Sequence, residues 1–507
     1  MKRKLLPVDR FFRIQERNGR SVTYGDIRLK TGYSAVAPAA AQLDSRFTRH
    51  VSLKIPIASA AMDDVTEAPM AIAMAKSGGI GVIHCSMPVS RQAQEVARVK
   101  FHLQPRIANP ITVRDADTVG EILAKRKRKR WKFHSFLVLD ESGNFVGLLT
   151  RKNFKLCMNP NLTARDIMLP VAHVITAPEK TSMERALALM QQHGVDLLPL
   201  MRRKTTLAGM YAAEDIKRIM TGSQAQFNLD SDGRLRVAAA VNTDESDLDR
   251  AEALVQQHVD VLVIEKAHGD SYPEHVFLKM LRRRHTSIDI VAGNISEPDS
   301  CRRLIREGAD AVKVGQGPGS ICSTRVVSGI GAPQATAVYN CSRAAQGSGV
   351  PIIADGGIVN PGDIPVALGC GADSVMVGGV LAGTKETPGD IIKRNGQQFK
   401  RYRGMGSLSA MRDRKASRRR YQQDHTPISQ LVPEGVESIV PYKGRVKRVL
   451  VQFMGGLRSG MSYCGTRTIA DLHRKADFHF NTPSGVREGH PHDVLITEIP
   501  PNYQVGR

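Results

Sequence analysis

The chain has 507 residues, of which 41% are hydrophobic and 24% charged, and its formal net charge is +23 at pH 7. This length permits two or three globular domains, and the hydrophobic fraction excludes a largely disordered chain. No uninterrupted apolar stretch approaches the roughly 20 residues that a membrane-spanning helix needs, so no membrane segment is predicted. The charge would attract phosphate groups, which makes nucleotides and nucleic acids candidate partners.

The seven cysteines are scattered without a CxxC pair or any other metal-ligand spacing. An odd, unpatterned set is typical of a reducing compartment rather than of a disulfide framework. The basic start MKRKLLPVDRFF precedes neither a long apolar region nor a small-residue cleavage site, so it does not predict a secretory signal. These features predict a cytoplasmic protein.

Basic residues are densest from Lys125 to Lys132, KRKRKRWK, with a second run at Arg418 to Arg420. Such runs are most often solvated faces or helix ends. No zinc-finger spacing, helix-turn-helix signal or aromatic-interleaved RNA motif accompanies them. A nucleic-acid partner therefore stays open but is not favoured by the charge alone.

In chain order, the first predicted elements are two apolar strands, KIPIASAAM and GGIGVIH. Residues 105–222 then form an approximate duplication. Ile111-Thr112 and Gly147 of the first copy correspond to Ile175-Thr176 and Gly209, roughly 60 residues later. The second copy also predicts a helix from Ser182 to His193. The duplication resembles a tandem pair of CBS modules, each a β-α-β-β-α unit that often binds adenine nucleotides.

The nucleotide-binding signature of CBS modules is a threonine and an aspartate three residues apart. The first copy has Thr150 and Asn153, and the second has Ala212 and Asp215, so each copy has lost one half of the pair. Two interpretations stay open: a regulatory or assembly module with weak nucleotide binding, and a working sensor of adenine or guanine nucleotides.

After residue 223, apolar strands again alternate with helical stretches: VDVLVIEK, IDIVAGN, ADAVKVG, VPIIADGG and ADSVMVGG. Near-continuous apolar strands indicate a parallel sheet covered on both faces, and polar or glycine residues stand at each carboxyl end. The sequence therefore predicts an α/β fold: a (β/α)8 TIM barrel formed by residues 1–104 and 223–507, with residues 105–222 inserted as a tandem CBS (Bateman) module. A Rossmann sheet is the alternative, but no GxGxxG follows an early strand.

The loop GQGPGSICSTR, from Gly315 to Arg325, follows the strand DAVKV. Its glycines let backbone N–H groups approach an anion closely, as phosphate loops do, and Ser320 adds a hydroxyl donor. Cys322 lies beside these dipoles, a setting that favours the reactive thiolate. The loop predicts a nucleophilic cysteine next to a phosphate site.

This loop is similar to the catalytic loop of the IMP dehydrogenase / GMP reductase family. Matching segments occur along nearly the whole chain: SAAMDDVTEA, GGIGVIH, ADGGI, YRGMGS, LVPEG, MGGLRSGMSYCG and EGHPHDV. The resemblance implies an NAD-dependent oxidoreductase that converts IMP to XMP in guanine nucleotide biosynthesis. Cys322 would attack C2 of the purine, hydride would pass to NAD, and a covalent thioimidate would remain on the thiol. Thr324 would assist proton movement.

The resemblance also implies the substrate contacts. Asp355 would accept hydrogen bonds from the ribose hydroxyls. Neutral donors would hold the 5′-phosphate, namely Ser320, Gly357, Gly378, Gly379 and Tyr402. The purine base would contact Met405, Gly406 and Glu434.

The same resemblance implies a cofactor site, a cation site and an assembly. The cofactor site would include Glu265, Asn294, Gly315 and Gly317. K⁺ would be bound by the carbonyls of Gly315, Gly317 and Cys322, with Glu488, Gly489 and His490 supplied by a neighbouring subunit, since hard cations prefer oxygen ligands. The family implies a homotetramer, with pairing into octamers through the CBS modules as a further expectation.

Hydrolysis of the covalent intermediate needs an activated water. In IMP dehydrogenases a mobile flap brings an Arg-Tyr pair into the vacated cofactor site, with the arginine as the base. Arg420-Tyr421 matches that pair, at the end of a flap formed here by residues 411–421. A basic solvated loop is the alternative interpretation, because Arg418 and Arg419 precede the pair.

Three features depart from the dehydrogenase pattern. Glu265 and Lys266 stand where these enzymes have aspartate followed by threonine or serine, and that aspartate contacts the nicotinamide ribose. Gly379 replaces a phosphate-binding serine, as in GMP reductases. The segment between Met411 and Arg420 is two residues longer than the usual bacterial form.

Two enzyme activities therefore compete. IMP dehydrogenase uses NAD⁺ and water, whereas GMP reductase uses NADPH, releases ammonia and needs no water-activating pair. Arg420-Tyr421, VPEG and EGHPHDV favour the dehydrogenase, and Gly379 favours the reductase. A nucleic-acid-associated or regulatory paralogue without this activity is a remoter third hypothesis, suggested by the charge and by Glu265.

Overall fold

The computed structural model describes residues 5–103, 106–107, 110–128, 131, 133–220 and 224–503. The chain divides into two compact units: a barrel unit, Met1–Phe101 with Ala225–Arg507, and an inserted unit, His102–Gln224. The predicted boundaries at 104/105 and 222/223 fall on residues outside the described ranges. None of the helices within those ranges has both the length and the apolar character needed to cross a membrane.

Eight parallel strands close into a barrel in the barrel unit, which confirms the predicted fold. In chain order they are β1 (Ile57–Ser59), β2 (Ile80–Ile83), β3 (Ala238–Val241), β4 (Val261–Ile264), β5 (Asp289–Ile295), β6 (Ala311–Val314), β7 (Ile352–Asp355) and β8 (Ser374–Val377). Each strand pairs with the next, and β8 pairs with β1. The strand β3 is the one that the apolar pattern did not predict.

A helix follows each barrel strand and covers the outside of the sheet. These helices are α1 (Ala68–Lys76), α2 (Val89–Lys100), α3 (Ser246–Gln256), α4 (Tyr272–Arg284), α5 (Pro298–Arg306), α6 (Gln334–Ala344), α7 (Asp363–Gly369) and α8 (Val446–Tyr463). Small and β-branched side chains fill the barrel interior, among them Ala58, Val82, Ala240, Val263 and Ile353. This layered apolar filling makes the barrel a packed core and leaves the carboxyl ends of the strands for chemistry.

Shorter elements surround the barrel. Within the described residues, the remaining α-helices of this unit are Pro7–Arg17, Thr324–Ser328, Leu408–Asp413, Lys415–Arg420, Ile469–Lys475 and Pro483–Glu488. Ile392–Arg394, Gln397–Arg403 and Glu437–Pro441 form an antiparallel sheet. Two antiparallel pairs complete the unit, Ile27–Leu29 with Phe478–Phe480 and Ser45–Arg46 with Ser52–Leu53.

The inserted unit contains two four-stranded sheets. One consists of Thr112–Arg114, Phe136–Leu139, Phe145–Leu149 and Leu169–Pro170, and the other of Arg106–Ile107, Ala177–Pro178, Leu197–Met201 and Leu207–Ala212. Its helices are Val119–Arg128, Arg151–Leu156, Ala164–Ile167, Met183–His193 and Ala213–Met220. Both copies of the duplication thus run β-α-β-β-α. The predicted second-copy helix is present, and the Ser182 hydroxyl caps it by accepting a hydrogen bond from the Arg185 amide at 3.3 Å.

Candidate active site

The cysteine loop leaves the carboxyl end of β6 and passes close to β7. Gly315 has a φ of +147°, and a Cβ at this position would lie 2.0 Å from the carbonyl oxygen of Asp355. A side chain would therefore separate the ends of the two strands. The glycine allows the loop to turn directly over the barrel mouth, where barrel enzymes place their catalytic groups.

Backbone contacts fix Cys322 within this loop. The Cys322 amide donates to the Gly319 carbonyl at 3.0 Å, and the Ser323 amide donates to the Glu434 carbonyl at 3.1 Å. The half-buried Cys322 thiol donates to the hydroxyl of Thr324, with Sγ and Oγ1 3.1 Å apart. The structure therefore joins the predicted nucleophile to the predicted proton-transfer residue and to the VPEG segment.

Four of the predicted phosphate-binding residues lie together at the end of β8. A Cβ built on Gly379 would be 2.9 Å from Ser320 Oγ and 3.4 Å from Tyr402 Oη. A Cβ on Gly378 would be 3.2 Å from the same Tyr402 oxygen. Two hydroxyls and two glycine backbones thus face one small space without a Cβ between them. Such a cluster suits an anion bound by neutral donors.

The fifth predicted phosphate residue, Gly357, lies on the turn after β7. Its φ is +80°, and a Cβ there would meet the ring of Tyr24 at 3.3 Å. This close packing against an N-terminal segment explains the glycine at this position in structural terms. Its role towards phosphate remains a prediction.

A buried charge network connects the ends of β4 and β7. The Lys313 ammonium is fully buried and lies 3.2 Å from a Glu265 carboxylate oxygen and 3.3 Å from Asp355 Oδ2. The Asn294 amide also donates to Asp355 Oδ2 at 2.8 Å. The sequence interpretation missed Lys313, although a single lysine inside the apolar strand DAVKV was a visible signal. Lys313 holds the predicted ribose-binding and cofactor-binding carboxylates together.

The flap is docked against the same strand ends. The Arg420 guanidinium forms an ion pair with Glu265, and the Ala267 amide donates to the Arg420 carbonyl at 3.1 Å. The neighbouring Arg419 pairs with Asp244 at 3.1 Å. Arg419 and Arg420 are therefore partnered within the fold, which contradicts the alternative of a basic solvated loop.

Tyr421 packs against Gly406, one of the residues predicted to contact the purine base. A Cβ on Gly406 would lie 2.6 Å from Tyr421 Cζ, so the glycine leaves space for the aromatic ring. The Gly406 carbonyl in turn accepts from the Glu434 amide at 2.9 Å, and Met405 is buried beside it. The predicted base-contacting residues and the flap tyrosine are therefore neighbours, joined through Gly406.

Burial and neighbouring charges act on both flap groups. Burial alone would lower the pKa of Arg420, but the Glu265 carboxylate outweighs it and the pKa lies above its usual value. Burial raises the pKa of Tyr421 to about 12, against the opposing effect of Arg420. In this arrangement Arg420 is held as a cation and Tyr421 as a neutral phenol.

A second carboxylate cluster anchors the strand that leads to YRGMGS. Arg403 pairs with Asp63 at 2.5 Å and with Asp413 at 2.8 Å. Asp64 accepts from the Arg403 amide through Oδ2, while its buried Oδ1 has no hydrogen-bond partner among the described residues. Burial is the main cause that raises the pKa of Asp64 from 3.8 to about 7.

This raised pKa predicts a specific pH dependence for the Asp64→Asn variant. The native state favours the protonated acid, so the stabilisation is complete below the unfolded-state pKa and is lost as the pH rises towards 7. Asparagine removes this titration. At pH 8 we expect the free energy of unfolding of the variant to exceed that of the wild type by on the order of 1–2 kcal/mol, so that the variant unfolds at a higher temperature. At pH 5 it should lose that advantage. Calorimetry at both pH values measures it.

Asp63→Asn is the matched control, since it breaks the Arg403 ion pair and should lower the melting temperature at both pH values. A wild-type pH profile in Asp64→Asn would contradict the assignment.

The predicted cation ligands of the C-terminal segment have local contacts. The Gly489 amide donates to the Gly485 carbonyl at 3.1 Å, and His490 Nδ1 lies 3.2 Å from the Tyr503 hydroxyl. Glu488 ends the helix Pro483–Glu488 and is exposed. These contacts do not connect the segment to the cysteine loop of the same chain, and the expected role on a neighbouring subunit stays a prediction.

A cavity of about 510 Å³ opens at the opposite, amino-terminal end of the strands. Its charged groups are paired with one another: His50 with Asp289 at 2.7 Å, and Arg282 with Asp310. His50, Asp289 and Asp310 come close enough to share a cation, but the arginine already neutralises Asp310. These ion pairs lie at the amino-terminal end of the barrel, where residues usually contribute to stability rather than to catalysis.

Comparison with known proteins agrees with this geometry. Residues 21–492 match the IMP dehydrogenase / GMP reductase domain. The inosine-5′-monophosphate dehydrogenase of Aquifex aeolicus is 42% identical, over 97% of this chain and 99% of its own, and that of Escherichia coli K12 is 41% identical, over 96% and 98%. The structure of Trypanosoma brucei GMP reductase in complex with guanosine 5′-monophosphate superposes with a TM-score of 0.82 at 36% identity, covering 94% of this chain and 98% of that one. The chain therefore belongs to the IMP dehydrogenase / GMP reductase family.

Proposed function

We propose that this protein oxidises IMP to XMP with NAD⁺, through a covalent intermediate on Cys322, and so serves guanine nucleotide synthesis. The observation that carries the proposal is the docked Arg420-Tyr421 pair, with Arg420 at Glu265 and Tyr421 at Gly406. Tyr421 packs against Gly406, whose carbonyl accepts from the Glu434 amide, and the Glu434 carbonyl in turn accepts from the amide of Ser323, next to Cys322. Only the dehydrogenase reaction needs groups that handle a water molecule at this place. The relatives named inosine-5′-monophosphate dehydrogenase, at about 41% identity over nearly the whole chain, support it.

The chain's own residues would divide the first half-reaction as follows. The Cys322 sulfur forms a bond to C2 of the purine, and Thr324, 3.1 Å away, takes part in the movement of the thiol proton. Asp355, held by Asn294, binds the ribose hydroxyls. The 5′-phosphate lies among Ser320, Gly357, Gly378, Gly379 and Tyr402, and the base lies against Met405, Gly406 and Glu434. NAD⁺, when bound, accepts the hydride that leaves C2.

The second half-reaction adds water to C2 and releases the thiol. Arg420 and Tyr421 would position and deprotonate that water. The ion pair with Glu265 holds Arg420 in its charged form, so the arginine can act as a base only if the approach of substrate and water weakens this contact. Tyr421, with its pKa of about 12, is a neutral donor and acceptor at physiological pH and can relay the proton.

Glu265, Asn294, Gly315 and Gly317 would hold the cofactor, and their placement fits it in part. The flap contacts Glu265 and the backbone at Ala267, so flap and cofactor would use the same surface in turn. Asn294 donates to the Gly315 carbonyl at 2.8 Å, which fixes the start of the cysteine loop.

K⁺ would take the carbonyls of Gly315, Gly317 and Cys322, together with Glu488, Gly489 and His490 from a neighbouring subunit. The Gly315 carbonyl already accepts from Asn294 and would offer its second lone pair. The remaining ligands would come from the C-terminal segment of the next subunit in the homotetramer that the family resemblance implies.

The inserted unit would act as a tandem CBS module that regulates or assembles the enzyme, including pairing of tetramers into octamers. In its first copy, Thr150 Oγ1 donates to Asn153 Oδ1 at 2.6 Å, and Asn153 Nδ2 donates to the Ile167 carbonyl at 2.6 Å. In the first copy, the threonine of the nucleotide signature is therefore engaged in capping the helix Arg151–Leu156. The side chain of Asp215 lies outside the described part of the chain. An adenine or guanine nucleotide would bind weakly in the first copy.

GMP reductase is the second candidate, and Gly379 is the observation that favours it. A glycine here removes the hydroxyl that dehydrogenases use on phosphate. The superposed GMP reductase structures agree with this alternative at the level of fold. Phosphate is common to both substrates, however, whereas the Arg-Tyr pair concerns the step that differs between the reactions.

A pair of assays on the purified protein distinguishes the candidates. IMP with NAD⁺ in potassium buffer should produce NADH and XMP, and the rate should fall when tetramethylammonium replaces potassium. GMP with NADPH should give no reaction. Consumption of NADPH with release of ammonia, and no NADH from IMP, would replace the dehydrogenase by the reductase.

Gly379→Ala tests the phosphate cluster. The new Cβ would lie 2.9 Å from Ser320 Oγ, closer than carbon and oxygen normally approach, so Ser320 must rotate away from the phosphate space. We expect the KM for the nucleotide to rise about 3- to 10-fold, as for loss of one hydrogen bond, with little change in kcat. Steady-state kinetics with varied nucleotide measures it.

Gly362→Ala is the matched control for this variant, because a Cβ at Gly362 meets no atom within 4 Å. An equal rise in KM for both variants, or none for Gly379→Ala, would place the phosphate elsewhere.

A further inference from the structure

Lys266 is a buried lysine whose ammonium group reaches the flap. Only 5% of its surface is exposed, and its Nζ donates to the carbonyl oxygen of Arg419 at 2.9 Å. The residue follows Glu265 directly at the end of β4. In dehydrogenases of the family this position carries threonine or serine, whose shorter side chain has no charged group. The lysine is thus a feature of this chain that the reaction itself does not explain.

The surroundings of Lys266 explain why the ammonium stays in place. Burial lowers its pKa, while the carboxylates of Glu274 and Asp424 favour the charged form. A buried ammonium needs acceptors to replace water, and a charge-assisted bond to a carbonyl is stronger than a neutral one. The Arg419 carbonyl is such an acceptor, and opening of the flap would remove it.

Three successive residues of the barrel unit therefore contact two successive residues of the flap. Glu265 pairs with the Arg420 side chain, Lys266 bonds the Arg419 carbonyl, and the Ala267 amide donates to the Arg420 carbonyl. The first contact is to a side chain of the flap, whereas the other two are to its backbone carbonyls. The lysine contact is the one that a change of side chain can delete without touching Arg420.

We propose that Lys266 is a positioning residue that latches the flap over Cys322 through the carbonyl of Arg419. The latch raises the population of the docked flap, in which Arg420 and Tyr421 lie at the cysteine loop. Because the flap and the cofactor would share Glu265, a stronger latch favours hydrolysis of the covalent intermediate and weakens cofactor binding. This last consequence rests on the proposed dehydrogenase function; the latch itself does not.

Hydrogen exchange of the free protein tests the latch without any substrate. In Lys266→Met, which keeps length and apolar bulk but has no donor, the amides of residues 415–422 should exchange about 10-fold faster, in line with loss of one charge-assisted hydrogen bond. Lys266→Arg, which keeps a cationic donor, should restore slow exchange. Lys266→Thr, with the residue type usual in dehydrogenases, should behave like Lys266→Met and serves as a second variant if methionine impairs folding.

Lys400→Met is the matched control. Lys400 is equally buried, and its ammonium donates to the Thr387 carbonyl at 2.6 Å, away from the flap. Loss of a buried lysine should lower the stability of both variants. Exchange of the flap amides should be faster only in Lys266→Met, because only Lys266 contacts the flap. Wild-type flap exchange in Lys266→Met and Lys266→Thr would overturn the proposal.

Kinetics then separate the latch from the proposed function. Lys266→Met should keep the first-turnover burst of NADH, lower the steady-state kcat about 5- to 10-fold and lower the KM for NAD⁺ by a similar factor, because the undocked flap competes less. Lys266→Arg should restore both parameters. Absence of NADH from the wild type would overturn the dehydrogenase function, and the exchange result would still decide whether Lys266 latches the flap.

Discussion

Replacement of Cys322 by alanine is expected to abolish NADH formation from IMP, with a loss of at least about 10⁴-fold, because the covalent route has no second nucleophile. The thiol is placed by the Gly319 and Glu434 backbone contacts of its loop rather than by a contact of its own side chain with the barrel. The variant should therefore fold normally. Steady-state assays and calorimetric titration with IMP measure turnover and nucleotide binding separately.

Cys464→Ala is the matched control for this variant. Cys464 is also half-buried, and its thiol lies 3.6 Å from the carbonyl of Lys30, outside the candidate site. We expect wild-type activity from it. Substantial turnover in Cys322→Ala, with XMP as the product, would exclude the covalent mechanism.

Arg420→Ala is expected to separate the two half-reactions. Hydride transfer does not need the flap, so about one NADH per active site should appear in a burst. The following turnover should fall about 10²- to 10³-fold, the usual contribution of a positioned base. The variant also removes the ion pair between Arg420 and Glu265, and the KM for NAD⁺ should fall because the flap docks less well. Stopped-flow absorbance of NADH records burst and steady state in one trace.

An exposed arginine of the barrel unit, Arg394, supplies the control for loss of positive charge. Arg394→Ala should keep both phases. Disappearance of the burst in Arg420→Ala would mean that Arg420 acts in hydride transfer or substrate binding, and the flap would lose its hydrolytic role.

The barrel was largely predictable because its strands have a strong apolar pattern. Seven of the eight strands belong to segments that alternate with helices and end in polar or glycine residues. The exception, Ala238–Val241, contains three alanines and a single β-branched residue. Alanine favours helices, so the segment lacks a strand signal of its own. Its neighbours β2 and β4 hold it in the sheet through backbone pairing.

Within the candidate site, the cysteine loop was predictable because its glycines and nucleophile are consecutive. The charge networks were not, because they join residues that are distant in the sequence. Arg403 bonds Asp63 across 340 positions, and Lys313 lies between carboxylates from two other strands. The fold alone brings these groups together, and a single sequence contains no periodic signal for them.

The docked flap also shows what part of the chain's positive charge does. The run Arg418 to Arg420 was compatible with a solvated surface, yet Arg419 and Arg420 are paired with Asp244 and Glu265. Part of the charge therefore serves intramolecular contacts at the candidate site. The run from Lys125 lies in the inserted unit, at the end of the helix Val119–Arg128, and Lys129, Arg130 and Lys132 lie outside the described residues.

The most direct test of the central claim is rapid-quench mass spectrometry of the protein mixed with IMP and NAD⁺. We predict that, within the first turnover, the peptide that contains Cys322 carries the mass of a covalently bound purine nucleotide, in the same amount as the NADH formed. The adduct should then decay to free XMP at the steady-state rate. Formation of NADH and XMP without any adduct on Cys322 would contradict the account.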